Sequence, residues 1–374
     1  MNKRIYLSPP HLTGKEKEFI NEALDSNWVA PAGPAIGHFE SEIAKYNKIE
    51  NALVVSSGTA AIHLALHVLG VSRGDEVICS TFTFSGSCYP ILYQSATPVF
   101  VDSERKSWNM DPVLLEEAIT DRLRHGSKPK AIIVVDLFGM PAQLNPMMEI
   151  ARRYEIPVIE DAAEALGSKY YNKLAGTLGD IGIFSFNGNK IITTSGGGAL
   201  VSQTKKWIDK ARFLSSQSRS PVPYYQHEEL GYNYQLSNIS ASIGLGQMLV
   251  LNERIQQRRA IFDFYKDHLP RHHFSFQPEL EESVSNRWLT TVLIENSSFS
   301  PEELRVALEA KNIETRPLWK PMHLQPVFKN APAYVNGVSE SFFDKGLCLP
   351  SGSSLQSVDL DYITNSILEF ISKR

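Results

Sequence analysis

The sequence predicts an α/β fold, with a mainly parallel seven-stranded sheet followed by a smaller C-terminal α+β domain. Three observations carry this. Short apolar runs alternate with helical patterns over the first half of the chain, as expected for strands layered with helices. The last two of these runs, Gly182–Phe186 and Gly198–Ser202, leave no room for a helix between them. They read as a hairpin, so one strand is antiparallel. From Ser237 to about Lys266 a helical pattern then runs through Leu245, Met248, Leu249, Leu251 and Ile255. This long helix is expected to link a large domain, residues 1–245, to a smaller one, residues 246–374.

In chain order, residues 12–48 read as an opening segment with two helices around Ala30-Pro-Ala-Gly-Pro34. The strand runs are Leu53–Ser57, Glu76–Phe82, Pro98–Asp102, Ala131–Leu137, Pro157–Asp161, Gly182–Phe186 and Gly198–Ser202. Pro112–Arg124 and Asn145–Tyr154 are typical of the helical stretches between them. Residues 214–230, rich in Ser, Pro, Tyr and His, read as a loop. In the C-terminal part, Arg287–Ile294 is a strand run, while Pro301–Lys311 and Leu360–Ile371 are helical.

The 374 residues are 43% hydrophobic, enough for a large core and more than one domain. A net charge of −4 gives no support for nucleic acid as the main partner. Cys79, Cys88 and Cys348 show neither metal-ligand nor CxxC spacing. His63 and His67 stand four apart on a helical pattern, but no third ligand is evident and the surrounding Leu and Ala favour packing, so no metal is expected. No apolar run approaches membrane-spanning length, and Pro9-Pro10 interrupts any signal-peptide core. The expected location is cytoplasmic.

Chemistry concentrates at three strand ends. Ile181-Gly-Ile-Phe-Ser-Phe-Asn-Gly-Asn-Lys190 is an apolar run that ends at Ser185 and turns through Asn-Gly-Asn to a lysine; Thr193-Thr-Ser-Gly-Gly-Gly198 follows. A partly desolvated lysine amine is the nucleophile that forms a Schiff base with a carbonyl or with pyridoxal phosphate (PLP). Most lysines merely solvate a surface, so this signal needs company. Asp161 ends the run Ile156-Pro-Val-Ile-Glu-Asp161, at the edge where open α/β sheets bind ligands. A carboxylate there can hold a pyridine nitrogen protonated, or it can cap a following helix. In Val55-Ser-Ser-Gly58-Thr59-Ala-Ala, a strand turns into a helix whose free N–H groups and Thr hydroxyl suit a phosphate. Plain capping is the alternative.

Together with Thr83-Phe84, Glu160-Asp-Ala-Ala163, Gly231-Tyr-Asn-Tyr234 and Arg316-Pro-Leu-Trp-Lys-Pro-Met-His323, these motifs resemble the DegT/DnrJ/EryC1/StrS sugar aminotransferases almost end to end. The resemblance implies the fold-type I PLP core and a PLP enzyme acting on nucleotide-linked keto-sugars. It is greatest to the subgroup acting on UDP-linked 4-keto-6-deoxy-N-acetylglucosamine, on the way to bacillosamine. It implies that Lys190 carries PLP and moves protons, with L-glutamate as amino donor, and that Asp161 holds the ring nitrogen cationic. Gly58, Thr59 and Ser185 would hold the cofactor phosphate. Phe84 would stack on the ring, and Glu164 falls near its phenolic oxygen, where relatives often carry Gln or His.

Asn233 would reach the phosphate across a subunit interface, making a homodimer with shared sites. Arg316, Lys320 and His323 are candidates for contacting the sugar nucleotide. Two places depart from the family pattern: Ser195-Gly-Gly-Gly198 stands where family members often read Gly-Glu-Gly-Gly, and Asp136 stands where many relatives have His. The rivals are a PLP-dependent sugar dehydratase on the same fold, which would have His in place of Lys190, and a PLP-binding regulatory protein without turnover. Neither a DNA-reading motif nor an extra domain supports the second.

Overall fold

The computed structural model describes residues 3–295 and 298–374. Helices α1 (Glu16–Asp25) and α2 (Pro34–Asn47) precede strand β1 (Asn51–Val55). After β1 the chain enters helix α3 (Gly58–Val68) and then β2 (Glu76–Ser80), β3 (Thr97–Val101), β4 (Ala131–Val135), β5 (Val158–Asp161), β6 (Ile181–Ser185) and β7 (Gly198–Ser202). They form one sheet in the order β1-β7-β6-β5-β4-β2-β3. Strand β7 runs antiparallel to both neighbours, β1 and β6, and every other pair is parallel. The hairpin reading of the last two runs is therefore correct. An eighth, two-residue strand, Ala333–Tyr334, comes from the C-terminal part and pairs in parallel with β3.

Strands β2 and β4 are buried throughout, Glu-Val-Ile-Cys-Ser and Ala-Ile-Ile-Val-Val, because helices cover both sheet faces. One face packs α3, whose Ala60, Ile62, Leu64 and Leu66 meet Val77, Ile133 and Ile183. The other carries Pro112–Arg124 and Leu144–Arg153, through Leu115, Ile119, Met147 and Ile150. Because β5, β6 and the turn after β1 end at the same edge, Asp161, Ser185 and Gly58 come together there.

The expected single helix from Ser237 is two, Asn238–Met248 and Leu251–His268. The two halves serve different cores. Gly244 and Gly246 lie so close to Phe39 of α2 and Glu16 of α1 that an added Cβ would stand 2.5 and 2.8 Å from them. Ile261 and Tyr265 of the second helix instead pack with Phe274, Val292, Leu347 and Ile363. Leu249, read from sequence as a core position, is at the break and 64% exposed. A four-stranded antiparallel sheet follows, ordered Phe274–Phe276, Thr290–Ile294, Gly346–Leu349, Arg316–Pro317. Helices Pro301–Glu309 and Ser357–Ser372 complete this part. The amino-terminal Ile5 joins it, bridging to Ile313.

One contact sets the geometry of the sheet edge. A Cβ on Gly198 of β7 would stand 2.4 Å from the backbone nitrogen of Gly58, at the start of α3. Gly198→Ala should destabilise the fold by about 1–3 kcal/mol, the usual cost of overpacking. Gly196→Ala, with nothing within 4 Å of the new carbon, is the control and should cost far less. Urea unfolding of both variants checks this, and equal midpoints would mean that the turn yields freely.

Candidate active site

Ser57 caps α3, its hydroxyl accepting the Ala60 N–H at 3.0 Å. The first helical backbone bond is that of Ala61 to the Ser57 carbonyl at 3.0 Å. The N–H groups of Gly58 and Thr59 lie ahead of it, as free donors at a helix start. Ser185 stands beside them: a Cβ on Gly58 would lie 3.2 Å from the Ser185 Cβ, and one on Gly86 would lie 3.1 Å from Thr59 Oγ1. Backbone donors and two hydroxyls thus gather where side chains are kept small. This cradle is at one end of a cavity of about 350 Å³, in the range of small-molecule sites.

Asp161 and Lys190 line the same cavity. Asp161 is 4% exposed and accepts from Ser87 Oγ at 2.7 Å and from the Ala163 N–H at 3.2 Å. Burial raises its pKa, opposed by the Ser87 and Ala163 hydrogen bonds and by the charge of Lys190. The helix that Asp161 might have capped is absent, since turns run from Ala163 to Gly167. Its backbone bond to Ala163 is that of a tight turn.

The Lys190 amine stands 3.6 Å from Glu164 Oε1 and 4.1 Å from the Trp288 ring centroid, a cation–π contact. Glu164 also accepts the Phe138 N–H at 2.6 Å. Burial pushes its carboxyl up, and the Lys190 charge is the largest influence in the other direction. Phe84, read as a stacking residue, is 57% exposed. It lines the cavity, with its ring 5.6 Å from that of Trp319.

The remaining expected residues do not gather here. Asn233 is exposed, bridges to Ser216 and is not part of this cavity's lining. Arg316 pairs with Glu314 at 2.8 Å in a separate cleft. His323 has both ring nitrogens committed, to Thr81 Oγ1 at 2.7 Å and Glu340 at 3.1 Å, so it braces two segments and is not presented to a ligand. Of the three candidates in that motif, Lys320 lines a cleft that Phe84 and Trp319 also line. His63 and His67 bond Tyr234 and Tyr232, at 3.1 and 3.3 Å. Burial, with His67 adding to it, lowers the His63 pKa to about 4.

Sequence reasoning missed Ser87, Trp288 and Trp319 as cavity residues. Each is brought in by tertiary packing. The available signal was weak: tryptophan beside a glycine-poor strand start, at Trp288, and inside the Arg316–His323 motif, at Trp319.

The donors, the buried carboxylate, the exposed aromatic ring and the lone lysine fit PLP. The phosphate matches the Gly58–Thr59–Ser185 cradle, a pyridine nitrogen matches Asp161, and an aldehyde matches Lys190. Fold and site together define a PLP-dependent enzyme of the fold-type I class. Comparison with known proteins agrees. The sequence profile of the DegT/DnrJ/EryC1/StrS aminotransferase family matches residues 10–368. The chain is 51% identical over 360 residues to EpsN of Bacillus subtilis (strain 168), a protein named for PLP-dependent aminotransferase activity, covering 95% of this chain and 92% of that one. It is 40% identical over 372 residues to the GDP-perosamine synthase of Escherichia coli O157:H7, covering both completely. A crystal structure of a family aminotransferase from Brucella abortus superposes with a TM-score of 0.90 at 29% identity, over 96% of this chain and 95% of that one. The chain belongs to the DegT/DnrJ/EryC1/StrS family and is a PLP-dependent sugar aminotransferase. No helix among the described residues is long and apolar enough to cross a membrane.

Behind Asp161 lies a second acidic pair. Glu160 accepts three N–H groups, from Gly176, Leu178 and Gly179, at 2.6–2.9 Å. Asp136 is fully buried and accepts the Ala142 N–H at 2.8 Å through Oδ1. Its Oδ2 has no donor and faces Glu160. Burial pushes both carboxyls up, Asp136 well above its usual range because the Glu160 charge adds to the effect. Burial next to Glu160 thus favours the protonated form of Asp136. A carboxyl with a raised folded pKa binds more protons in the native state, so its contribution to stability falls as pH rises above 3.8. Asp136→Asn replaces the O–H donor with an N–H. Its stability relative to wild type should grow with pH from about pH 4 upward, at up to about 1.4 kcal/mol per pH unit. Urea titrations at several pH values measure this, and parallel stability curves would mean that Asp136 is ionised.

Proposed function

We propose that the enzyme transfers the amino group of L-glutamate to the C4 keto carbon of a nucleotide-linked 4-keto-6-deoxy sugar, working as a homodimer with shared sites. The observation that carries this reading is the placing of Lys190, Asp161 and the Gly58–Thr59–Ser185 cradle around one cavity. PLP, when bound, supplies an electron sink for the carbon that loses its proton. Lys190 would anchor it covalently through Nζ, and the same amine, once free, would take the proton from the donor's α-carbon as general base and deliver it as general acid. Asp161, held by Ser87 and the Ala163 N–H, would keep the pyridine nitrogen protonated. The α3 start and Ser185 would hold the phosphate, and Phe84 would stack on the ring. Trp288 and Trp319 line the cavity, and Lys320, on the neighbouring cleft, would meet the sugar nucleotide.

The substrate we favour is UDP-linked 4-keto-6-deoxy-N-acetylglucosamine, on the resemblance of the Asn187–Gly198 and Arg316–His323 segments. A GDP-linked sugar is the second reading, favoured by the 40% identity to a GDP-perosamine synthase. A panel of UDP-, GDP- and dTDP-linked 4-keto sugars, with products read by NMR, separates them. Borohydride treatment of the holoenzyme should fix the cofactor to the peptide containing Lys190. A stable adduct on another lysine would sink that assignment. Lys190→Ala should lose nearly all turnover.

Asn233 is exposed and does not line its own cavity, as expected of a residue serving a neighbouring subunit. Mixing Lys190→Ala and Asn233→Ala protomers should then restore activity, because a mixed dimer regenerates one site with both residues intact. Mixed dimers without activity would assign each site to one chain.

A further inference from the structure

Arg258 is 1% exposed on the helix Leu251–His268, a costly place for a guanidinium. Neither of its bonds goes to a carboxylate. Nη1 donates to the Trp288 carbonyl, and Nη2 donates to Ser8 Oγ at 3.0 Å. Both recipients then act on one atom. Ser8 Oγ donates to the Asn189 carbonyl at 2.7 Å, and Trp288 Nε1 donates to the same oxygen at 2.7 Å. Asn189 immediately precedes Lys190, whose own N–H is turned back onto the Asn187 carbonyl at 3.0 Å. The Trp288 ring also faces the Lys190 amine at 4.1 Å. One indole thus touches the lysine at both ends, holding its backbone by an N–H and its amine by the π face.

The three clamp residues come from distant parts of the chain: the amino-terminal segment, the helix leading into the smaller sheet, and the start of that sheet. Two donors on one carbonyl, each held by the same buried cation, define the turn far more tightly than Asn-Gly-Asn could alone. Chained hydrogen bonds polarise one another in a buried site. The charge on Arg258 strengthens the Ser8 donor, while its bond to the Trp288 carbonyl anchors the backbone that carries the indole, a role that a neutral core residue could not fill.

We propose that Arg258, Ser8 and Trp288 form a positioning clamp on the Asn189 carbonyl. The clamp sets where the Lys190 amine stands and hence the rate of the proton transfers it makes, without touching substrate. This rests on Lys190 being the reacting lysine, so borohydride mapping on the wild-type holoenzyme comes first. An adduct elsewhere would end that reading, whatever the clamp does.

The test compares Ser8→Ala, Trp288→Phe and the double variant; Trp288→Phe keeps an aromatic ring in the side chain while removing the N–H and one of the two fused rings. A reacting group displaced by about an ångström can cost a hundredfold. We expect the double variant to lose about tenfold or more in kcat, with KM for the amino donor within about twofold of wild type. The single variants should lose less than half of that effect on a logarithmic scale, since either donor alone still engages the carbonyl. A second readout uses the cofactor-free protein. Reductive methylation of Lys190 by formaldehyde, followed by peptide mass spectrometry across pH, should change its profile in the double variant while the melting temperature stays close to wild type. Unchanged kcat and a superimposable methylation profile would overturn the proposal. So would losses that simply track the melting temperature across all variants. Should the double variant not fold, Trp288→Phe carries the same expectation at about threefold in kcat.

Discussion

The site depends on burying several acids around one lysine. Asp136, Glu160, Asp161 and Glu164 are each 6% exposed or less, and among the described residues Lys190 is the one cation paired with any of them, at Glu164. Like charges at such depth cannot all be ionised. The fold distributes protons to resolve this. Three backbone N–H groups favour the charge on Glu160, and burial beside it favours the protonated form of Asp136. Asp161 receives a hydroxyl and a backbone N–H, enough to hold a carboxylate that a cationic ring nitrogen then completes.

That arrangement follows from strand register. Val134 pairs with Glu160 and Val135 with Asp161, so Asp136 and the two acids of β5 come to the edge together. The Asp136 N–H also donates to the Asp161 carbonyl at 3.1 Å, fixing the backbone from which the Asp161 side chain projects. Burial in this acidic layer, with Glu160 beside it, favours the neutral form of Asp136, which would add no further charge.

Much of this was legible in the sequence. Lys190, Asp161, Ser185 and Gly58–Thr59 all sit at strand ends, where a local apolar run and the turn after it announce both the element and the exposed edge. The antiparallel β7 followed from the shortness of the connection before it. The failures share a cause: they concern contacts that no local pattern encodes. Ser87 bonds Asp161 across 74 positions, and Trp288 lies 99 positions from the carbonyl it holds. The apolar periodicity continues across Leu249 and Val250, so it could not reveal that the two helical halves face different cores. His323 carries a residue type suited to ligand binding, yet the structure spends both its nitrogens on Thr81 and Glu340.

Glu164 is where the charge inventory changes when the cofactor attaches. In the cofactor-free pocket its partner is the Lys190 ammonium at 3.6 Å, the strongest influence favouring its ionised form. A covalent link through that amine turns a free ammonium into a group whose charge and position belong to the cofactor. What remains beside Glu164 is burial, which favours the neutral acid, and the Phe138 N–H, which favours the anion. Burial is the larger of the two, so engaging Lys190 would shift Glu164 toward its neutral form, which carries a proton. A glutamine at this position could donate a hydrogen bond but could not exchange that proton, which gives the carboxyl at residue 164 a physical consequence beyond packing.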